Sequence, residues 1–392
     1  MTTCRNIQFG TLLNDSLTAN RTMSLRQDTS QSSPLRMPEV LEIEWAHGTL
    51  MPPPSTMAAL EKAADLLRCG RLVAIPTETV YGLAAVANDS DAVERIFVAK
   101  GRPAHNPLIV HVADIEGARV LSRRWSDRAE ILATHFWPGP LTLVVDRNET
   151  LPLNVTAGGS TVAIRCPDQS LTRLLIEMVG QPLAAPSANR STELSPTCAK
   201  HVVEGLGGLV DLILDAGPCQ RGIESTVIDT TSDPPFILRP GPIGQSELSQ
   251  ALGVMVDIRL ITDVMQPMIQ RSPGTGLRHY APRARVELTV NPSSRLAELL
   301  AMGFRVGWLT LSEPSHEQLG TITVLRMPDD PVEFAKVLYD RMHQADECGV
   351  DVLLVDRPPE FIEWIAIHDR LARASFSDQT KGFENSSRTS HR

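Results

Sequence analysis

The stretch that decides the fold runs from Ala74 to Ala85 and reads A-I-P-T-E-T-V-Y-G-L-A-A. Its start, with Leu72 and Val73 before it, is an apolar run that reads as a buried strand. Pro76 has no amide to give to a sheet ladder and stops the strand. Small hydroxyl and carboxylate side chains follow at Thr77, Glu78 and Thr79, and Gly82 permits a turn beside Tyr81. Polar groups at the end of an apolar strand are where open α/β sheets hold ligands. The plain alternative is a strand leading into a helix capped by Thr77 or Thr79. The stretch alone does not choose between them.

Outward from it the same pattern recurs. Upstream, Ser55 or Thr56 is positioned to cap a helix with Leu60, Ala63, Ala64 and Leu67 on one face, ended by Gly70. Downstream, residues 89–99 carry Val93, Ile96 and Phe97 at helical spacing and deliver the chain into Lys100-Gly101-Arg102-Pro103. Two cations around a glycine at a helix-to-loop junction suit an oxyanion such as phosphate. Asn106-Pro107-Leu108-Ile109-Val110-His111 follows, and a histidine closing an apolar strand reads first as a core residue. Thr161 to Arg165 is a short strand whose terminal arginine requires a carboxylate or phosphate partner. Leu183-Ala184-Ala185-Pro186-Ser187-Ala188-Asn189 is another strand ending in small and hydrogen-bonding residues. Ser195-Pro196-Thr197 opens a helix, Ser225 and Thr226 start a strand, and Ile237-Leu238-Arg239 ends one in a third cation. Strand ends that are repeatedly small, hydroxylic or cationic describe a sheet with one anion-binding cleft along them.

The totals narrow the class. A chain of 392 residues suggests two domains. Hydrophobic content of 42% and charged content of 21% are those of a soluble globular protein. With 4% aromatics and a net charge of −9, a broad stacking platform for nucleic acid is disfavoured, while one basic cleft is not. Six cysteines without a C-x-x-C pair offer neither a zinc site nor a disulfide framework, which makes a reducing cytoplasm the expectation. No apolar run approaches the roughly 18 residues that span a bilayer. No Ser-His-Asp or Cys-His arrangement is evident. Residues 1–53 are rich in Ser, Thr, Asn and Gln and read as a disordered extension. A transit peptide or an upstream start codon are the other readings of that segment.

Taken together, P-T-E-T-V-Y-G-L at 76–83, K-G-R-P at 100–103, N-P-L-I-V-H at 106–111, S-A-N at 187–189 and E-S-T at 224–226 resemble the YrdC-type domain. Ser272-Pro273-Gly274 and Arg278-His279-Tyr280-Ala281-Pro282 resemble the linker of the two-domain threonylcarbamoyl-AMP synthases, with Leu277 a departure before R-H-Y-A-P. The resemblance implies an α/β fold: a twisted open YrdC-type sheet flanked by helices, plus a smaller Rossmann-like α/β domain. The expected layout is a catalytic domain over 54–250, a linker over 251–283, an accessory domain over 284–376 and a disordered tail over 377–392. In the accessory part, strands are expected at 286–290, 305–309 and 350–355, with helices at 296–301 and 332–345; no G-x-G-x-x-G is present.

The family's reaction, as the resemblance implies it, joins L-threonine, bicarbonate or CO2 and ATP into threonylcarbamoyl-AMP and pyrophosphate. The product passes to a tRNA threonylcarbamoyl-transferase complex, and Mg2+ accompanies ATP. Carried onto matching positions, the threonine pocket is Thr79, His111, Arg165, Ala185 and Ser225. The ATP set is Lys100, Arg102, Asn106, Thr161, Ser187, Asn189, Ser195, Arg239 and Tyr280, of which Lys100, Arg102, Ser187 and Asn189 are the expected catalytic group. No membrane partner and no protein-bound metal are expected. A weak tRNA contact is a further expected partner. Two other classes share the domain: a non-catalytic RNA-binding module, and a carbamoyl-transfer enzyme of hydrogenase maturation.

Overall fold

The computed structural model describes residues 37–45, 51–259, 279–313 and 322–376. The expected tail and the linker residues 272–278 lie outside them, as do residues 1–36 of the expected extension. The larger sheet contains β1 (Glu39–Glu42), β2 (Val73–Ile75), β3 (Gly82–Val86), β4 (Ile109–His111), β5 (Ser122–Arg124) and β6 (Leu141–Arg147). It continues with β7 (Thr161–Arg165), β8 (Leu183–Ala184), β9 (Leu212–Asp215), β10 (Thr226–Asp229), β11 (Phe236–Arg239) and β12 (Asp257–Ile258). Their spatial order is β1-β9-β2-β3-β8-β4-β7-β6-β10-β11-β12, with β5 paired to β6. Seven helices accompany this sheet among the described residues: α1 (Pro54–Arg68), α2 (Ser90–Lys100), α3 (Ile115–Leu121), α4 (Asp127–Phe136), α5 (Ser170–Val179), α6 (Ala199–Leu206) and α7 (Gln245–Leu252).

Both faces of the central strands are covered, so their sequences are continuous apolar runs rather than alternations. Val73, Ile75, Ala84 and Val86 pack against α1 and α5, through Leu60, Leu67, Leu171 and Leu175. Ala74, Leu83 and Ala85 face the other way, into a cluster with Val93, Ile96, Leu132 and Leu143. The period of two along each strand assigns the faces.

Four expectations are corrected. Residues 39–42, placed in the disordered extension, are a strand paired in parallel with β9, and Leu41, Ile43 and Trp45 pack beside α1. Their partner is more than 170 residues away, so no local pattern reveals the pairing. α1 starts at Pro54 without a side-chain cap; Thr56 is buried and its hydroxyl donates to Glu44 O at 3.3 Å. The chain after Thr79 enters a strand rather than a helix, which removes the capped-helix alternative. Near the expected linker, β12 still pairs with β11, so the catalytic sheet reaches residue 258.

The second sheet has order β13-β16-β14-β15, from β13 (Arg285–Thr289), β14 (Val306–Thr310), β15 (Thr323–Arg326) and β16 (Val352–Asp356), all parallel. Helices α8 (Pro292–Ala301), α9 (Pro331–Glu347) and α10 (Ile365–Ser375) flank it. The expected strands and helices of this part are present, displaced by a few residues; β15 and α10 are additional. No helix among the described residues is long and apolar enough to cross a membrane.

Candidate active site

Arg165 closes β7, His111 closes β4, and the parallel register places them side by side. Arg165 Nη1 donates to Thr79 Oγ1 at 2.8 Å, its Nε to Gly139 O at 3.3 Å, and Nη2 lies 2.7 Å from Glu78 Oε1. Burial and the neighbouring guanidinium push the His111 pKa down to about 3, so the ring is neutral. Its Nδ1 is buried without a hydrogen-bond partner, which a satisfied core histidine would not show. Thr77 presents Thr79: its Oγ1 accepts from the amides of Thr79 and Val80 and donates to Val80 O at 2.6 Å, a local hydroxyl turn. Ala185 lies against Gly82, where an added Cβ would come within 3.3 Å of the alanine methyl.

β2 and β4 are separated by two intervening strands, each neighbouring pair antiparallel, so they run in opposite directions. The loop after β2 therefore leaves from the edge opposite the one where β4 and β7 end. The site is consequently not the single row of strand ends expected from the sequence. The 76–81 loop nevertheless reaches Arg165, through Glu78 and Thr79.

Ser225 links this pole to a second one. Its Oγ shares a 2.8 Å hydrogen bond with Thr142 Oγ1 and accepts from Arg239 Nη2 at 3.1 Å. On β6, Thr142 directly precedes Leu143, which pairs with Ile164, the residue before Arg165. Lys100 ends α2, where Gly101 turns the chain with φ +58°. The Lys100 ammonium donates to Ser187 O at 2.6 Å and to the Asn189 carbonyl, tying K-G-R-P to S-A-N. Arg102 donates to Asn106 O at 3.0 Å and to Asn106 Oδ1 and Pro107 O at 2.6 Å. Burial lowers Lys100 well below the usual lysine range and Arg102 to about 9. His279 is held neutral by burial and by Arg102, Lys100, Arg239 and Arg373 around it. Tyr280 follows with φ +59° and is buried, its hydroxyl unpartnered.

Of the expected residues, Thr79, His111 and Arg165 are brought together, and Lys100, Arg102, Asn106, Ser187, Asn189, Arg239 and Tyr280 form the cationic pole. Ser195 is fully buried and donates to Glu224 Oε1 at 2.5 Å. Thr161 stands apart from Arg165 at the opposite end of β7, four residues or about 13 Å of strand away. Sequence reasoning missed Thr142 and Glu224 and gave Glu78 no role in the site, although Glu78 and Glu224 lie inside quoted motifs. Cations buried against carbonyl oxygens carry an electrostatic cost that an arriving polyanion offsets. The arrangement can hold an amino-acid carboxylate at one pole and phosphates at the other.

The family model described as "Telomere recombination" matches residues 65–241, and "Threonylcarbamoyl-AMP synthase, C-terminal domain" matches residues 243–375. The threonylcarbamoyl-AMP synthase of Pyrococcus abyssi is 42% identical over 323 residues, covering 80% of this chain and 93% of that one. The Schizosaccharomyces pombe enzyme of the same name is 40% identical over 370 residues, 83% of this chain and 90% of its own. The crystal structure of P. abyssi Sua5 complexed with L-threonine superposes with a TM-score of 0.77 at 38% identity, over 86% of this chain and 97% of that one. With both domains matched in order and the mixed α/β architecture shared, the chain belongs to the threonylcarbamoyl-AMP synthase family.

Proposed function

We propose that this protein is an L-threonylcarbamoyladenylate synthase, a nucleotidyltransferase that makes threonylcarbamoyl-AMP and pyrophosphate from L-threonine, bicarbonate or CO2 and ATP, for threonylcarbamoyladenosine modification of tRNA. The observation that carries this reading is the pairing of two buried poles joined through Ser225. One is centred on Arg165, and the other is ringed by Lys100, Arg102 and Arg239.

In this reading Arg165 takes the threonine carboxylate, with Thr79, His111, Ala185 and Ser225 around the rest of the amino acid. The neutral amine attacks CO2 and loses a proton, giving a carbamate. A carbamate oxygen then attacks the α-phosphorus, and the bond to pyrophosphate breaks. No side-chain nucleophile is required; the work is positioning and neutralisation of charge. Lys100 and Arg102, with Asn106, Ser187 and Asn189, face the triphosphate, and Tyr280 covers the nucleotide. Cations at that pole fit phosphate oxygens and not the coordination shell of a metal. Mg2+ therefore enters as the counter-ion of ATP, held by the triphosphate. The product passes to a tRNA threonylcarbamoyl-transferase complex.

The test is pyrophosphate release by the purified protein with threonine, bicarbonate and ATP, each omitted in turn. Release is expected only when all three are present. Release without threonine, or none with the full set, would overturn the reading.

A further inference from the structure

The second domain reaches the candidate site through one buried carboxylate. Glu224, next to Ser225, receives the Ser195 hydroxyl at Oε1 (2.5 Å), and at Oε2 both the Tyr339 hydroxyl (3.1 Å) and Arg370 Nε (2.8 Å). Tyr339 lies on α9 and Arg370 on α10, so two of the three donors come from the accessory domain. Arg370 is fully buried and donates to Asp369 at 2.8 Å, and Asp369 is in turn bound by Arg373. The Arg370 guanidinium carbon lies 5.0 Å from the centre of the Tyr280 ring, and the Tyr339 ring stacks on Tyr280 at 5.7 Å. One guanidinium thus touches both the partner of Ser195 and the ring of Tyr280. The loop is pressed onto the same helix: a Cβ on Gly222 would fall 2.2 Å from Lys336 O.

Arg370 and Arg239 hold Glu224 below the usual carboxylate range against the opposing effect of burial. An ionised carboxylate only accepts, so Ser195 must spend its single proton on Glu224 and presents lone pairs in every other direction. The bland explanation is a clamp between domains. A buried ion pair is weak glue compared with apolar packing, because desolvation opposes the attraction. What such a cluster does well is fix orientation. Here the groups it fixes are Ser195 and Tyr280, both assigned to the nucleotide.

We propose that Arg370 and Tyr339 are positioning residues for ATP: through Glu224 they set Ser195 as a fixed acceptor, and through ring contact they seat Tyr280. The accessory domain thereby completes the nucleotide half of the site and leaves the threonine half untouched. This rests on the synthase reading above.

The test is steady-state pyrophosphate release by full-length Tyr339→Phe, Arg370→Met and Glu224→Gln/Arg370→Met proteins, with melting temperatures measured alongside. Arg370→Met is expected to raise the KM for ATP about tenfold or more, with the KM for threonine within about twofold. Tyr339→Phe should give a smaller rise in the same constant, about threefold. Adding Glu224→Gln should recover melting temperature, since it removes the carboxylate left without its cation, but the KM for ATP should stay raised, because an amide no longer obliges Ser195 to donate and Tyr280 still lacks its guanidinium. Both constants rising together, or neither moving, would overturn the proposal whatever the melting temperatures do. If Arg370→Met does not fold, Tyr339→Phe decides: an unchanged KM for ATP overturns it. A wild-type protein that releases no pyrophosphate sinks the synthase reading instead. Calorimetric binding of a non-hydrolysable ATP analogue to wild type and Tyr339→Phe then decides this inference, which requires the variant to bind more weakly.

Discussion

Arg165 and Glu78 are opposite charges 2.7 Å apart, each at most 5% exposed, yet the Glu78 oxygens and Arg165 Nη2 make no aligned hydrogen bond. The pair is close without being satisfied, which leaves a buried guanidinium edge available to a carboxylate that can align with it. Arg165→Ala should therefore raise the KM for threonine by about 10- to 100-fold, the worth of hydrogen bonds to a charged group. Arg165→Lys should recover little of this, because a lysine lacks the planar fork. The KM for ATP should change far less. Initial rates with each substrate varied separately will show whether threonine use alone is lost.

Lys100 is expected to behave in the opposite way. Its ammonium bridges the 100–103 and 187–189 segments through carbonyl oxygens and is buried with Arg102 nearby. Lys100→Met removes a charge from the phosphate pole and the tie between two loops. Pyrophosphate release at saturating threonine should fall about 100-fold or more, in line with the loss of a preorganised electrostatic contact. Full turnover in this variant would reject the placement of phosphates there.

How much of this was legible in the sequence divides along the line between local and distant interactions. The 74–85 stretch announced its strand and its polar turn because Pro76, Thr77 and Gly82 act within a few residues of one another. The arginines and the lysine stood out because a cation at the end of an apolar run needs an anion. What failed to show was geometry set by partners far along the chain. The strand at 39–42 exists because β9 pairs with it. Strand direction across β2, β3, β8 and β4 put the loop and Arg165 on opposite edges, which no motif encodes. Glu224 sat in plain view inside E-S-T, but its three donors lie 29, 115 and 146 residues away. Two of them belong to a domain whose last helix was not anticipated.

A pocket shaped to the threonine methyl can separate threonine from serine only modestly. One methyl in an apolar site is worth about 1–3 kcal/mol, or about 10- to 200-fold. The value of kcat/KM for serine should therefore be lower than that for threonine by a factor in this range. Competition between the two amino acids in one assay measures the ratio directly, and equal use would place the methyl outside any pocket.

Gly222 tests the seam between the domains. Its φ is +72°, and an added Cβ would lie 2.2 Å from Lys336 O on α9. Gly222→Ala must move either the 221–226 loop or the helix, and it strains the backbone as well. The melting temperature should fall by several degrees, with activity falling through the displaced Glu224 and Ser225. A variant as stable and active as the wild type would show that the seam is loose.

His201 and His343 stack across the same seam with ring centres 3.7 Å apart. Burial, mainly, pushes both down to about 4, aided for His343 by the neighbouring His201. Asp340, Asp346 and Glu347 act in the opposite direction on one ring or the other, and Lys200 disfavours the charged form of His201. In the unfolded chain a histidine titrates near 6.5. Between about pH 6.5 and about 4 the unfolded chain therefore binds more protons, and stability rises with pH across this window. The contribution is full above about pH 6.5 and is lost progressively as the pH falls toward 4. Carboxylates elsewhere also titrate at the acid end, so the wild type alone does not isolate the pair. The difference between wild type and His201→Gln/His343→Gln does: the double variant should lose less melting temperature between pH 7 and pH 4.5. Parallel curves would mean that the stacked rings do not set the acid sensitivity of the domain contact.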